Sequence, residues 1–261
     1  MIENPSNFIV AVPARYASTR LPGKPLAEVG GMAMIKRVCL QAKRSTAMQI
    51  IACVDDQRVR DALKGIDVTV CMTSMQCKCG TDRIAEMINT LSIDPETIIV
   101  NVQGDEPLIN PEHIDAVAHT LISSNADMST LCAKIDNIQD VFDPNCVKVV
   151  FDKNGKALYF SRNPIPYERG NFDKNNATIT ELKFSHYHHI GIYAYKAKTV
   201  LMYSSMEQPD IECCESLEQL RLLYNGMTIA VAVTDRPPEI GVDTKEDLIR
   251  VNKLLCSNNL L

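Results

Sequence analysis

Three cationic side chains, a hydroxyl and a glycine follow directly on the first apolar run of the chain, FIVAVPA at 8–14. Arginine forks and a lysine point charge can neutralise a triphosphate, while main-chain amides beside a glycine approach its oxygens. The segment contains neither G-x-x-x-x-G-K-S/T nor G-x-G-x-x-G, so no standard phosphate motif supports that interpretation. A phosphate-binding loop and a solvated basic loop both remain open for Arg15, Ser18, Arg20, Gly23 and Lys24.

Two aspartates could hold a divalent cation. Asp105 comes directly after an apolar run, TIIVNVQ, and a glycine, and Asp243 lies in GVDTKEDL. Mg²⁺ suits such positions because it takes one or two protein oxygens and the rest from water and phosphate. Both residues also have structural alternatives. Asp105 could cap the helix beginning near Pro111 or form a turn, and Asp243 stands beside a capping pair formed by Thr244 and Asp247.

An acidic run is predicted to share one helix face, because Glu215 lies at helical spacing from Glu212, Glu218 and Gln219. Like charges stacked in this way destabilise a helix unless a partner neutralises them. A ligand-binding face and a solvated face both remain open at this point.

Histidines and cysteines do not favour a zinc site. If 188–196 is a strand, His188 and His189 point to opposite faces and cannot both bind one metal without a bend. The closely spaced cysteines lack a second, correctly spaced pair. We therefore expect free thiols and no structural zinc.

Apolar runs alternate with helical patterns through the first half of the chain, which predicts βαβ units, a largely parallel sheet and right-handed crossovers. The predicted strands are 8–14, 49–56, 67–72 and 97–103, and the predicted helices are about 32–44, 57–64, 82–91 and 111–123. Ligands bind outside the carboxyl ends of the strands in such sheets, which places the basic loop and Asp105 at the same edge.

The pattern changes in the second half. Asn154-Gly155 predicts a hairpin, and a long polar loop spans 163–183. Further strands are predicted at 188–196 and 228–235, and helices at 215–226 and 244–255. We predict a single α/β domain over 1–261, with a mostly parallel central sheet, flanking helices, and an antiparallel element inserted at about 147–196.

Composition excludes several classes of protein. The 261 residues carry a net charge of −5, which argues against a protein that holds nucleic acid by general electrostatic attraction. No uncharged apolar run approaches the ~18 residues of a membrane span, and the first residues do not form a secretory signal. We expect a cytoplasmic protein.

Eight motifs in register resemble the 3-deoxy-manno-octulosonate cytidylyltransferases, the CMP-Kdo synthetases. They are PARYASTRLPGKPL at 13–26, CGTDR at 79–83, NVQGDEPLI at 101–109, DPNCVKVV at 143–150, LYFSRNPIP at 158–166, HIGIYAY at 189–195, ESLEQLR at 215–221 and GVDTKEDL at 241–248. The resemblance implies a nucleotide-diphospho-sugar transferase-like fold and a homodimer. It also implies a cytoplasmic role in supplying activated Kdo for lipopolysaccharide.

The resemblance also implies roles for individual residues. Its substrates are CTP and Kdo, its cofactor is Mg²⁺, and Lys24, Asp105 and Asp243 are the catalytic residues. The metal ligands are Asp105 and Asp243, and the nucleotide-binding residues are Arg15, Ser18, Arg20, Lys24 and Arg162. Thr73 is added to the nucleotide-binding residues from its position past the third predicted strand. The sugar-binding residues are Arg83, Gln103, His189, Glu215, Glu218 and Gln219.

Several positions depart from the family pattern. Cys79 stands where serine usually precedes Gly-Thr, 76–78 differ from the usual acidic, His and Gln run, His188 replaces an arginine, and Cys213-Cys214 replaces a bulkier pair. Two alternatives remain. One is a CMP-sialic acid synthetase or another acidic-sugar cytidylyltransferase, and the other is a non-catalytic nucleotide-binding module.

Overall fold

The computed structural model describes residues 8–172 and 181–257, and the chain divides into two compact units. Of the described residues, the first unit holds 8–119, 192–205 and 239–257, and the second holds 120–172, 181–191 and 206–238. Helix α4 (Pro111–Ser123) and strand β10 (Tyr187–Lys196) contribute residues to both units. A single folding domain with an insertion at about 147–196 stays a prediction.

The sheet of the first unit is built around β1 (Phe8–Ala14), in which every residue is buried. Strand β1 pairs in parallel with β4 (Gln49–Val54) and β6 (Ile98–Asn101), and β4 pairs in parallel with β5 (Thr69–Met72). Strand β10 is antiparallel to β6. A continuous apolar run such as FIVAVPA is typical of a strand covered on both faces, and the four strands predicted for this half of the chain are confirmed.

Helices connect these strands as the spacing predicted. They are α1 (Met34–Ala42), α2 (Gln57–Ala62) and α3 (Gly80–Thr90). Helix α9 (Lys245–Ser257), which lies after these strands in the sequence, was also predicted, whereas α6 (Ala197–Ser205) was not. A short 3₁₀ helix (Lys24–Leu26) and a two-stranded antiparallel sheet of β2 (Glu28–Val29) and β3 (Met32–Ala33) fill the loop after β1.

The second unit combines a parallel pair with an antiparallel hairpin. Strands β7 (Met128–Lys134) and β11 (Ile229–Thr234) are parallel, and β8 (Lys148–Phe151) and β9 (Ala157–Ser161) are antiparallel. Gly155 in the connecting turn has φ +78°, a value that glycine adopts without a steric cost. The predicted hairpin and the antiparallel element in a mostly parallel α/β fold are confirmed.

The predicted helix at 215–226 is wrong in its extent. Two short helices, α7 (Asp210–Glu215) and α8 (Leu220–Tyr224), replace it, while α5 (Ile138–Phe142) was not predicted. Ser216 separates α7 from α8 in the left-handed region, with φ 51°. The chain therefore turns here, and Glu212 and Glu215 do not share a helix face with Glu218 and Gln219.

The predicted loop at 163–183 is described on both sides of 173–180, which lie outside the described residues. Its described parts contain no helix or strand. Within 8–172 and 181–257, no helix combines the length and apolar character needed to cross a membrane.

Candidate functional site

Lys24, Asp105 and Asp243 meet in the first unit. The Lys24 Nζ donates to Asp105 Oδ2 at 2.5 Å and to Asp243 Oδ1 at 2.7 Å. These partners lie 81 and 219 positions from Lys24 in the sequence. The fold thus gathers the two predicted metal ligands around one cation, which is the arrangement on which a shared cation site depends.

Backbone contacts explain why the two aspartates converge. Gly104 brings the end of β6 so close to β1 that an added Cβ would lie 2.7 Å from the Pro13 carbonyl oxygen. The Val242 amide then donates to the Asp105 carbonyl at 2.8 Å, which anchors the segment carrying Asp243 beside it. Gly104 is required by this close approach, since any larger residue would push the Asp105 loop away from β1.

The capping pair predicted beside Asp243 is confirmed. Asp247 Oδ2 accepts from the Thr244 hydroxyl at 2.8 Å and from the main-chain amides of Thr244 and Asp243. Because Asp247 satisfies these donors, the Asp243 carboxylate is turned to Lys24 and to Arg20, whose Nη2 lies 3.1 Å away. Asp243 therefore stands beside the cap without forming it.

Glu106 modifies the electrostatics of this cluster and was missed at the sequence level. Burial, followed by the Asp105 and Asp243 carboxylates, raises the pKa of Glu106 to about 8. The side chain is therefore mostly protonated at neutral pH, and the negative charge is carried by the two aspartates. Its position directly after Asp105 was the available signal.

The donor set suits magnesium. Two carboxylates supply hard oxygen ligands, and Mg²⁺ completes its shell with water and phosphate oxygens. Across the described ranges no group of three or more His, Cys, Asp or Glu side chains is placed to hold a metal. A site of two protein ligands beside a basic loop is therefore what the first unit offers to a divalent ion.

The basic loop after β1 makes few contacts through its polar side chains. Ser18 Oγ accepts from the Leu21 amide at 3.3 Å, while Arg15 and Arg20 are exposed. Tyr16 starts the loop, and its ring lies under the Arg58 guanidinium, 3.7 Å from ring centroid to Cζ. Of these exposed cations, Arg20 lies next to Asp243, with 3.1 Å between Nη2 and Oδ1, which suits a phosphate-binding loop.

Arg83 of α3 is buried and faces Thr73, which directly follows β5. Its Nη1 donates to Thr73 Oγ1 at 2.5 Å, and its Nη2 donates to Asp55 Oδ2 at 3.0 Å. Asp55 also accepts from the Tyr16 amide at 2.8 Å. Asp55 therefore links Arg83 to the start of the basic loop.

Sequence reasoning missed Asp55, although it follows strand β4 as Asp105 follows β6. The same strand-end rule could have identified it. Gln103, also predicted in the sugar set, comes near the start of α3, since a Cβ added to Gly80 would lie 3.6 Å from Gln103 Oε1.

Cys79, one of the departures from the family pattern, acts as a helix cap. Its Sγ accepts from the Asp82 amide at 3.5 Å at the start of α3. A serine hydroxyl at this position would make the same kind of bond. The replacement therefore leaves the helix start in place.

Glu215 in the second unit is held by the end of β9. Its Oε1 accepts from Ser161 Oγ at 2.6 Å, and its Oε2 accepts from the Arg162 amide at 2.9 Å. The Arg162 Nε donates back to the Glu215 carbonyl at 2.6 Å. Two residues predicted for different substrates therefore bind each other in this structure.

Glu212 is neutralised by a different partner. Arg221 Nε and Nη2 reach its two carboxylate oxygens at 2.7 and 2.6 Å, and the Glu212 side chain is 2% exposed. Glu218 is exposed and Gln219 is buried. The residues predicted to form one acidic face therefore have different partners and different exposure, and they do not form a common surface.

His189 lies buried beside Phe160, with ring centroids 4.9 Å apart. Its Nε2 is 3.0 Å from Thr130 Oγ1, and that hydroxyl donates to the Ile190 carbonyl. Burial, followed by the nearby His188, lowers the pKa of His189 to about 3. His189 is therefore a neutral imidazole at physiological pH.

Comparison with known proteins gives a consistent result. The cytidylyltransferase family model matches residues 9–229. A 3-deoxy-manno-octulosonate cytidylyltransferase of Marinobacter nauticus is 48% identical over 253 residues, covering 95% of this chain and 97% of that protein. One from Histophilus somni strain 2336 is 45% identical over 252 residues, covering 95% and 98%.

A solved structure agrees with these relatives. It is a CMP:2-keto-3-deoxy-manno-octonic acid synthetase complexed with CTP, with a TM-score of 0.86 and 34% identity. The alignment covers 97% of this chain and all of that one. The similarity therefore extends through both compact units.

Proposed function

The chain belongs to the 3-deoxy-manno-octulosonate cytidylyltransferase family, and from this we infer that it joins CTP to Kdo and releases pyrophosphate. The anomeric hydroxyl of the sugar attacks the α-phosphorus, and pyrophosphate leaves in line. Such a transfer needs positioning and charge neutralisation more than covalent help from the protein. The described residues supply both kinds of group.

We assign the triphosphate to the basic loop. Arg15 and Arg20 are exposed and carry guanidinium forks suited to phosphate oxygens. Lys24 supplies a compact charge for the negative charge that develops on pyrophosphate as it leaves. We place Ser18 and Arg162 as further nucleotide contacts and Thr73 near the base.

We assign Mg²⁺ to Asp105 and Asp243. When bound, it would neutralise phosphate charge and lower the pKa of the attacking hydroxyl, so that no dedicated protein base is needed. Asp105 and Asp243 lie on two separate segments, which the hydrogen bond from the Val242 amide to the Asp105 carbonyl joins.

We assign the sugar to Arg83, Gln103, His189, Glu215, Glu218 and Gln219. Arg83 is a permanent cation suited to the Kdo carboxylate, with one edge already held by Asp55 and Thr73. His189 would act as a neutral group because of its lowered pKa. Glu215 and Glu218 would accept hydrogen bonds from sugar hydroxyls.

We further propose that the protein acts in the cytoplasm as a homodimer and supplies activated Kdo for lipopolysaccharide. Sedimentation velocity of the purified chain tests the assembly. A dimer at micromolar concentration is the expected result, and a monomer would contradict it.

The observation that carries the proposal is the contact of Lys24 with both Asp105 and Asp243, beside the exposed Arg20 of the loop. The test follows pyrophosphate release with CTP and a panel of 2-keto sugar acids, with Mg²⁺ and with EDTA. We expect turnover with Kdo and Mg²⁺ only. Preference for a sialic acid would redirect the assignment of the sugar, and turnover in EDTA would remove the metal.

A further inference from the structure

The Lys24 ammonium lies between the two carboxylates proposed to hold Mg²⁺, 2.5 and 2.7 Å from their oxygens. We propose that Lys24 is an internal counter-ion that occupies the cation position between Asp105 and Asp243 and gives it up when a nucleoside triphosphate and a divalent ion bind. This inference rests on the proposed function, because it takes Asp105 and Asp243 as the metal ligands.

Lys24 and a divalent ion cannot share this position. Mg²⁺ binds oxygens at about 2.0–2.1 Å, so an ion held by both aspartates would fill the space in which the ammonium now lies. The two cations would also repel each other at contact distance. Binding of the ion therefore requires Lys24 to move away.

The surroundings allow this exchange. The Asp105 and Asp243 side chains are 33% and 46% exposed, whereas Lys24 is 14% exposed. A divalent ion can therefore reach the carboxylates from solvent, on the side that the lysine does not cover. The long, flexible stem of lysine lets its ammonium move while the 3₁₀ helix that carries it stays in place.

A triphosphate offers Lys24 a new partner. Arg15 and Arg20 of the same loop are exposed and can hold phosphate oxygens. Once phosphates are near, the ammonium can leave the aspartates without losing an anionic partner. The nucleotide and the divalent ion should therefore strengthen each other's binding, by equal factors.

The exchange also predicts weak metal binding by the protein alone. Without nucleotide, a divalent ion must break both bonds of Lys24 and leave its ammonium without these partners. Replacement of Lys24 by an uncharged residue removes that competition, takes the ammonium away from Asp105 and leaves Asp243 paired with the exposed Arg20. Such a variant should bind the metal more tightly, although its catalytic activity falls.

The experiment measures Mn²⁺ binding by the full chain without nucleotide, from the electron paramagnetic resonance signal of free Mn²⁺. We expect Lys24→Met to bind Mn²⁺ at least about tenfold more tightly than the wild type. Lys24→Arg retains the charge and should stay as weak as the wild type. The matched control is Lys43→Met, which removes an exposed lysine paired with Asp67 at 3.0 Å, and it should match the wild type within about twofold.

Thermal unfolding of the same proteins, with EDTA and with Mn²⁺, gives a second readout that tolerates a loss of stability. Mn²⁺ should raise the Tm of Lys24→Met more than that of the wild type. Adding Asp243→Asn to Lys24→Met should abolish both the tighter Mn²⁺ binding and the larger rise in Tm. That result would assign the bound Mn²⁺ to this site.

The outcomes separate the inference from the proposed function. Equal Mn²⁺ affinity in the wild type and Lys24→Met, with loss on Asp243→Asn, would overturn the role of Lys24 and leave the metal site in place. Mn²⁺ binding that does not depend on Asp243 would overturn both this inference and the assignment of the metal. No binding in any variant, Lys24→Met included, would overturn the role of Lys24.

Discussion

The acidic groups of the two compact units are neutralised in different ways. In the first unit, Asp105 and Asp243 share one lysine ammonium and remain partly exposed. In the second unit, Glu212 is buried against the fork of Arg221. A shared ammonium can be exchanged for another cation, while a buried bidentate pair is fixed. The first arrangement suits a site that must admit ligands, and the second suits a scaffold.

The contrast between an exchangeable site and a fixed ion pair would be wrong if Asp105 had only a structural role. Asp105→Asn retains the shape of the side chain and removes its charge, so we expect a folded protein in which CMP-Kdo formation falls by at least about a hundredfold. Pyrophosphate release and the far-ultraviolet circular dichroism spectrum check this. Asp67→Asn, at an exposed carboxylate paired with Lys43, is the control and should retain full activity. Near-normal turnover of Asp105→Asn would remove Asp105 from the site.

Arg221→Met tests the opposite side of the comparison. It leaves Glu212 buried with its charge unpaired, so the free energy of unfolding should fall by about 3–5 kcal/mol. Urea denaturation measures the loss. The control is Lys64→Met, which removes an exposed pair with Asp61 at 2.8 Å and should cost less than about 1 kcal/mol. A similarly small loss for Arg221→Met would show that the buried pair is not a fixed part of the scaffold.

His189 extends the comparison to pH. Its pKa is lowered from 6.5 to about 3 by burial. Between these pH values the His189 imidazole is therefore protonated in the unfolded chain and neutral in the folded chain. The resulting stability is present above pH 6.5 and is lost as the pH falls towards 3. Between pH 7 and pH 5 this group should cost about 2 kcal/mol.

His189→Gln retains a side-chain donor towards Thr130 and removes the titration. Urea denaturation at pH 7, 6 and 5 should therefore show a shallower loss of stability for the variant than for the wild type. The same pH dependence in both proteins would mean that His189 is accessible to protons in the folded state.

Arg83 combines features of the exchangeable ion pairs and of the fixed buried pair. It is buried in an ion pair with Asp55, yet it is proposed to bind substrate. Arg83→Lys retains the charge and loses the planar fork, so the KM for Kdo should rise by about tenfold while the KM for CTP changes little. Steady-state pyrophosphate release with each substrate varied in turn measures both. An equal rise in the KM for Kdo and the KM for CTP would indicate that Arg83 contributes to nucleotide binding.

Arg20→Gln should give the smallest effect on stability. The Arg20 side chain is 66% exposed in its pair with Asp243, so the free energy of unfolding should change by less than about 0.5 kcal/mol. The KM for CTP should rise by about threefold through the lost phosphate contact. A larger loss of stability without a change in KM would make Arg20 part of the scaffold.

Local signals in the sequence were enough for most of the fold. The buried run at 8–14, the Asn154-Gly155 turn and the proline at the start of α4 each depend on neighbouring residues, and all three elements are confirmed. The break at Ser216 carries no glycine or proline. Tertiary contacts of Glu212 and Glu215 decide it, so no local pattern could predict it.

The candidate site was predictable in its residue types but not in its contacts. Strand-end positions and the family resemblance selected Asp105 and Asp243. Their meeting depends on the Val242 amide reaching the Asp105 carbonyl, and no spacing rule gives the partner of a loop amide. The ammonium of Lys24 between them was not predicted, since the phosphate interpretation gave it a different partner. The roles of the substrate-binding residues stay predictions.

Lys24 and Asp243 are 219 positions apart in the sequence, and this separation affects when their ion pair can form during synthesis of the chain. During synthesis, Lys24 and Asp105 leave the ribosome long before Asp243, so a nascent chain can form one of the two ion pairs but cannot yet assemble the complete cluster. Proteolytic removal of the segment that includes Asp243 and α9 would have the same result. The complete cluster of Lys24, Asp105 and Asp243 therefore forms only after the segment that carries Asp243 has been synthesised.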